Sequence, residues 1–347
     1  MVTHEKYISR CIELAKYGIG SVSPNPMVGA VIVVDNKIIG EGFHQKFGEA
    51  HAEVNAINSV KDKSLLPKST LYVSLEPCSH FGKTPPCTDL IIENKIPNVI
   101  IGSLDPYYEV NGKSIEKLKN NGINVISGIL EKECKFLNRR FYTFHQKKRP
   151  YIILKWAESL DKFIDIKRNN AETKPIFFTD NFGRTIVHKW RTENDAILVG
   201  RNTVILDNPQ LTARNFYGNN PVRIIIDKNN TLNKDYFIFD NQADTIVFNS
   251  LSNEKQNNIS YVKIDFSKNI VFQILDELYK ANIQSIIIEG GSITLNSFIE
   301  ENLWDEARIF ISNKKLENGV KAPYFEYFTD NEEIYKNYKL KIYYNEF

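Results

Sequence analysis

Four residues carry the clearest chemistry: His51 and Glu53, separated by Ala52, and two later cysteines, Cys78 and Cys87, each preceded by proline. Imidazole and thiolate are the donors zinc favours, and three of them leave its fourth position open to water. Zinc at such an open position lowers the pKa of bound water toward neutrality. A carboxylate beside that water must then move its protons, and Glu53 is close enough to do so without being a ligand. A purely structural zinc would need a fourth protein donor, for which His80 is the only neighbour in sequence. Cys11 and Cys134 fall within expected helices and read as core packing.

The order His-x-Glu and then two Pro-Cys steps is the signature of zinc-dependent deaminases. The elements around it are consistent with a site. His51–Val60 reads as a helix that His51 opens. Thr70–Leu75 reads as a strand, which places Cys78 just past a strand end, where open α/β sheets put their ligands. Pro86 suits a first helical position, so Cys87 opens the helix Pro86–Asn94, whose free N–H groups favour a thiolate.

The rest of the first half alternates. His4–Tyr17 has helical spacing, with Gly18 as its stop. Val28–Val34 and Lys37–Gly42 form a hairpin across Asp35-Asn36. Asn98–Gly102 and Asn124–Ser127 are strands; Ser114–Asn121 and Leu130–His145 are helices. The result is an α/β layered domain over residues 1–145, followed by a polar, basic linker over residues 146–150. Beyond it, residues 151–347 alternate again. Strands are expected at Tyr151–Trp156, Ala196–Gly200, Val222–Asp227, Thr245–Phe248, Ser285–Glu289 and Ala307–Ile311, and helices at Asp180–Arg191, Ile270–Lys280 and Ser292–Glu301. No G-x-G-x-x-G follows the first of these strands. Glu289-Gly290-Gly291-Ser292 does lie between a strand and a helix, where N–H groups can hold phosphate.

Composition narrows the function classes. The chain has 347 residues, 42% hydrophobic and 25% charged, enough for two domains with real cores. Its net charge of +2 and lack of a basic, aromatic-interleaved stripe argue against a nucleic-acid partner or nucleic-acid editing. No run of 18 apolar residues suggests a membrane span. The first ten residues lack the apolar core of a secretory signal, and four unevenly spaced cysteines suggest no disulfide framework. A cytoplasmic enzyme for a small molecule is expected.

Asn25-Pro-Met-Val-Gly-Ala30, Gly42-Phe-His44, His51-Ala-Glu53 and Glu76-Pro-Cys-Ser-His-Phe-Gly-Lys-Thr-Pro-Pro-Cys87 closely resemble the bifunctional riboflavin-biosynthesis deaminase/reductase family. Cytidine and tRNA-adenosine deaminases have two residues between the cysteines, whereas here there are eight. Lys155-Trp-Ala-Glu-Ser-Leu-Asp161 and Gly200-Arg-Asn-Thr-Val204 … Asp207-Asn-Pro-Gln-Leu-Thr212 resemble the family's reductase half. The resemblance implies a cytidine-deaminase-like three-layer domain followed by a dihydrofolate-reductase-like domain, both α/β. It implies zinc-dependent deamination of 2,5-diamino-6-(5-phosphoribosylamino)pyrimidin-4-one, then NADPH-dependent reduction of the ribosyl group to ribityl. A deaminase with a degenerate, non-catalytic second domain is the alternative.

Carried over by position, Asn25 and His44 line the pyrimidine pocket, and His80 and Lys83 lie where a substrate phosphate could reach. Ala157, Thr203, Asp207 and Gly291, Ser292, Ile293, Thr294, Leu295, Asn296 and Ser297 fall on cofactor positions. Lys155, Arg191, Leu211, Arg214 and Glu289 fall on substrate positions, with Arg191 and Arg214 suited to a bidentate grip on phosphate. A homo-oligomer, dimer or tetramer, is also expected. Lys162 stands where the family usually has glycine, Pro175 and Lys228 where it has serine, and Phe177 where it has tryptophan. The last 35 residues match poorly.

Overall fold

Tyr7, Ile8, Cys11 and Leu14 share one face of α1 (His4–Ala15) and are buried together. A 3-10 turn, Lys16–Gly18, completes the helix. β1 (Gly29–Val34) and β2 (Lys37–Phe43) then pair antiparallel around Asp35-Asn36. Both turn residues have left-handed φ, 47° and 61°, as a tight two-residue hairpin requires. α2 (Ala52–Ser59), β3 (Thr70–Leu75), α3 (Cys87–Glu93), β4 (Asn98–Ser103), α4 (Lys113–Asn120), β5 (Asn124–Ser127), α5 (Glu131–Leu137) and α6 (Arg139–Lys147) follow. This computed structural model describes residues 4–79, 85–106, 112–168, 173–327 and 331–345, in two units, Met1–Lys147 and Lys148–Phe347.

In the first unit the strand order is β2-β1-β3-β4-β5. β1 and β3 are antiparallel, and β3, β4 and β5 are parallel. Ala52, Ala56, Ile57, Ile91 and Leu118 of α2, α3 and α4 pack on one face of the sheet. Tyr7, Ile8, Cys11 and Cys134 of α1 and α5 pack on the other. The unit is therefore three-layered. The single helix expected over Leu130–His145 is broken at Asn138. The amide of Asn138 bonds both the N–H and the C=O of Met27, each at 2.8 Å, so the residue at the break holds the segment that leads into β1. Gln146 and Lys147 belong to α6 rather than to a linker, and Lys148, with φ 54°, ends the helix.

The second unit contains β6 (Tyr151–Glu158), β7 (Phe163–Asp165), α7 (Asn181–Thr192), β8 (Ala196–Gly200), α8 (Arg201–Asp207), β9 (Val222–Ile226), β10 (Thr245–Asn249), β11 (Glu254–Gln256), β12 (Ile259–Lys263) and α9 (Ile270–Lys280). It continues with β13 (Ser285–Ile288), α10 (Ser292–Glu300), β14 (Glu306–Ser312), β15 (Val320–Lys321), β16 (Asn331–Ile334) and β17 (Tyr338–Tyr344). Ten strands form one sheet in the order β11-β12-β10-β9-β8-β13-β6-β14-β17-β16. The run from β12 to β14 is parallel throughout. Its central strands are apolar on both faces, as a sheet covered on both sides demands. α9 and α10 cover one face, and α7 with Val204 of α8 covers the other. The poorly matching C-terminus includes β17, paired with β14 over seven residues.

Lys162 has a left-handed φ of 68°, a conformation glycine takes freely and lysine adopts only at some cost. The compensation is visible. Its ammonium sits 2.6 Å from Glu158, whose other oxygen accepts from the indole of Trp156 at 2.8 Å. Glu158 is buried, so the lysine supplies a cation that glycine could not.

Candidate active sites

His51 immediately precedes α2, Cys78 follows β3 and Cys87 is the first residue of α3. Three separate elements thus deliver three donors. His51 Nδ1 lies 3.5 Å from Cys78 Sγ and 3.4 Å from Cys87 Sγ, and the donor atoms all fall within 4.8 Å of one another. A tetrahedral zinc with ordinary bond lengths needs N···S edges of roughly 3.5 Å, so this donor set fits it. The Cys87 N–H points at Cys78 Sγ over 3.3 Å. The Cys87 thiol's hydrogen bond pulls Cys78 down to about 4, against the push of burial and with help from His51.

Glu53 lies in the first turn of α2, 3% exposed. Burial pushes its carboxyl up. It is not one of the three clustered donors, yet it is within hydrogen-bond reach of Cys87. A buried carboxyl beside a metal position is suited to carrying protons rather than holding the ion.

Asn25 and His44 are brought together: Asn25 Nδ2 donates to His44 Nε2 at 3.1 Å. His44 Nδ1 bonds the Ala50 carbonyl at 3.0 Å, which fixes the proton on Nδ1 and leaves Nε2 as acceptor. Burial lowers the His44 pKa and keeps the ring neutral. That ring stands edge-on to His51, centroids 5.4 Å apart. Asn25 and His44 therefore adjoin the metal donors. His80 and Lys83 lie outside the described residues.

Sequence reasoning missed two supporting residues. Asn55 ties α2 to the preceding loop through the carbonyls of Phe43 and Ala50. Glu76, buried just before Cys78, accepts from the backbone N–H groups of Asp105, Gly112 and Ser114. The partners of Glu76 are far along the chain, so no local pattern announces it. Gly42 also positions the site. A Cβ there would collide with the Ala56 nitrogen and lie 2.7 Å from the Ala52 carbonyl, so glycine lets β2 touch the backbone of α2. Gly42→Ala is expected to destabilise the first unit by about 1–3 kcal/mol, the usual cost of overpacking. It should also loosen the donor set next to α2, as thermal unfolding and zinc-binding measurements would show.

In the second unit, Arg191 Nη2 lies 2.9 Å from Glu289 Oε2 and its Nη1 donates to the Thr212 carbonyl at 3.0 Å. Lys155 Nζ is 3.8 Å from the same Glu289 oxygen. Burial pushes Glu289 up, but Arg191 and then Lys155 outweigh it and hold the carboxyl at about 2. Burial lowers Lys155 and Arg214. Lys155 within β6, Arg191 in the last turn of α7 and Glu289 just past β13 thus meet, with Thr212 and Arg214 alongside. Leu211 buries its side chain in the core and has a left-handed φ of 55°, so what it can offer a ligand is backbone. His188, which sequence reasoning also missed, is buried in this cluster.

The expected cofactor residues also lie along the carboxyl edge of the parallel strands. Ala157 is near the end of β6, Thr203 and Asp207 are on α8, and residues 291–297 open α10. A Cβ on Gly290 would press on Thr294 at 2.8 Å, whereas one on Gly291 would meet nothing closer than Thr203 Oγ1 at 3.9 Å. The backbone at Gly291 is therefore open to close approach, as a dinucleotide phosphate requires. Ile293 is exposed, while Leu295 is fully buried with its N–H on the Gly291 carbonyl. Asp207 is paired with Arg168 at 2.5 Å. This edge fits a nicotinamide dinucleotide. Among the described residues, no helix is long and apolar enough to cross a membrane.

Residues 1–103 match the model of the cytidine and deoxycytidylate deaminase zinc-binding region, and residues 150–320 that of the RibD C-terminal domain. The riboflavin biosynthesis protein RibD of Aquifex aeolicus is 39% identical over 321 residues, covering 91% of this chain and 88% of that protein. Its counterpart in Escherichia coli is 32% identical, covering 92% and 90%. Among solved structures, a diaminohydroxyphosphoribosylaminopyrimidine deaminase/5-amino-6-(5-phosphoribosylamino)uracil reductase from Thermotoga maritima superposes with a TM-score of 0.88. It is 41% identical and covers 98% of this chain and 97% of that one.

Proposed function

The chain belongs to the RibD family of riboflavin-biosynthesis enzymes, and from that membership we propose which of its residues carry each of two reactions. It is a bifunctional enzyme, a zinc-dependent deaminase in its first half and an NADPH-dependent reductase in its second. The deaminase converts diaminohydroxyphosphoribosylaminopyrimidine to a uracil, and the reductase turns the ribosyl group of that product into ribityl. With both halves present, the reading of a degenerate second domain falls away.

The convergence of His51 Nδ1, Cys78 Sγ and Cys87 Sγ beside a buried Glu53 carries the deaminase assignment. His51, Cys78 and Cys87 hold zinc, which when bound supplies a Lewis acid for activating water. Glu53 takes a proton from the attacking water and delivers it to the amino nitrogen. A carbon–oxygen bond forms, the carbon–nitrogen bond breaks, and ammonia leaves. Asn25 and His44 orient the pyrimidine, since the Ala50 carbonyl fixes the His44 tautomer. Cys87→Ser should lower zinc content and ammonia release together, by at least about tenfold; full zinc in that variant would remove Cys87 from the ligand set.

In the reductase, Ala157, Thr203, Asp207 and the stretch from Gly291 through Ser292, Ile293, Thr294, Leu295 and Asn296 to Ser297 bind NADPH. The cofactor supplies the hydride, so the protein's task is orientation. Leu295 contributes by seating the helix. Lys155, Arg191, Leu211, Arg214 and Glu289 face the substrate, with Arg191 and Arg214 at its phosphate. A homo-oligomer, dimer or tetramer, in the cytoplasm completes this reading. Reduced, metal-binding thiols suit that compartment. Metal analysis with a two-step assay, ammonia release followed by NADPH oxidation, tests the whole.

A further inference from the structure

Four buried polar atoms without a partner gather around one guanidinium of the second unit: His188 Nδ1, Arg191 Nε, Thr212 Oγ1 and Glu289 Oε1. Arg191 itself bonds Glu289 and the Thr212 carbonyl. His188 lies three residues before Arg191 on α7, so the two side chains are neighbours. Folded proteins leave few buried polar groups unpaired. Several in one place mark a space that another molecule's polar atoms complete. The charges say which kind: Lys155 and Arg191 flank one carboxylate, Glu289, and a third cation, Arg214, lies by Arg191 and His188. Two positive charges are left over, and a phosphate monoester dianion balances them.

We propose that His188 is a ligand of the substrate's phosphate, donating from Nδ1 to the dianion gripped by Arg191 and Arg214, and that it takes up a proton as that dianion binds. This rests on the placement of the phosphate at those two arginines. His188 is 5% exposed. Burial, then Arg191 on its own helix and Arg214 on the connection after α8, hold its pKa at about 4. Glu289, just past the end of β13, and a hydrogen bond from the ring to the Thr212 backbone pull the other way, and Lys155 of β6 lies beyond that carboxylate. The imidazole is therefore neutral among cations before binding. An arriving dianion cancels the surplus positive charge that disfavours the imidazolium, and its oxygens offer the protonated ring a charge-assisted bond.

The test titrates the full-length, zinc-loaded protein with ribose 5-phosphate by calorimetry, in buffers of different ionisation enthalpy. At about pH 7 the phosphate monoester is already mostly a dianion, so proton uptake beyond that seen with His188→Gln reports on the imidazole. Arg214→Ala, which removes this subsite and leaves the first unit untouched, gives the baseline. Wild type is expected to take up protons on binding. His188→Gln, whose amide cannot reach the Nδ1 position, should lose that uptake and bind about tenfold more weakly. His188→Asn puts an amide N–H at the Nδ1 position and should recover affinity without proton uptake. Equal affinity and uptake in wild type and His188→Gln would overturn the proposal, as would weaker binding with uptake intact. Should Arg191→Lys and Arg214→Ala both bind like wild type, the phosphate placement itself fails, whatever His188 does. Thermal unfolding of each variant identifies any that lose the fold, and His188→Asn then carries the test.

Discussion

Glu53→Gln should stop ammonia release, by a factor of about a thousand or more, while the protein keeps its zinc. Replacing an amino group by a carbonyl oxygen requires protons to leave water and arrive on nitrogen. A positioned proton carrier contributes roughly 10²–10⁴ to such a step. Glu53 is suited to it because it is buried beside the donors without being one of them. Glutamine keeps the shape and a hydrogen-bonding oxygen but cannot cycle a proton. His51, Cys78 and Cys87 are unaltered, so metal analysis should find zinc at the wild-type ratio. NADPH oxidation on separately supplied deaminated substrate should be unchanged. Zinc loss, or a rate within about tenfold of wild type, would remove Glu53 from this role.

The metal donors were legible because metal chemistry restricts residue type and because each donor sits at an element boundary with its own signal. Pro86 announces the start of α3, and the polar residues after Leu75 announce the end of β3. The hairpin was legible from Asp35-Asn36, where both residues tolerate left-handed backbone. The bond between Asn25 and His44 was not, since it joins two loops that only the folded sheet brings together. Glu76 was hidden for the same reason: its three N–H partners lie 29 to 38 residues away. In the second unit, α8 is only seven residues long and has no side-chain N-cap, which leaves too short a window for helical periodicity. β17 mixes lysines with its core residues and gains its identity from pairing with β14. His188 looked like an ordinary helix residue. Its significance comes from an arginine on its own helix and three residues from two distant segments.

Arg191→Ala should cut reductase kcat/KM by about a hundredfold or more, the scale of losing one partner of a buried charge pair in a binding site. Ammonia release should be unaffected. The same substitution should also change how stability depends on pH. Glu289 is held at about 2 in the folded protein, below its unfolded value of about 4.3. A depressed carboxylate stabilises the fold above its unfolded pKa, and that contribution fades as pH falls toward 2. The difference amounts to about 3 kcal/mol at neutral pH. Without Arg191, burial is opposed chiefly by Lys155, 3.8 Å away, with a smaller pull from His188, so the Glu289 pKa rises. Denaturant unfolding of the second unit should then show a loss of about that size at pH 7 and a smaller loss near pH 4. Arg191→Lys separates the two effects. A lysine keeps the positive charge and should restore much of the stability. It lacks the planar fork that reaches Glu289 and the Thr212 carbonyl together, so the reductase should stay impaired. Equal recovery of both in the lysine variant would show that charge alone suffices at this position, and the bidentate grip on phosphate would have to be given up.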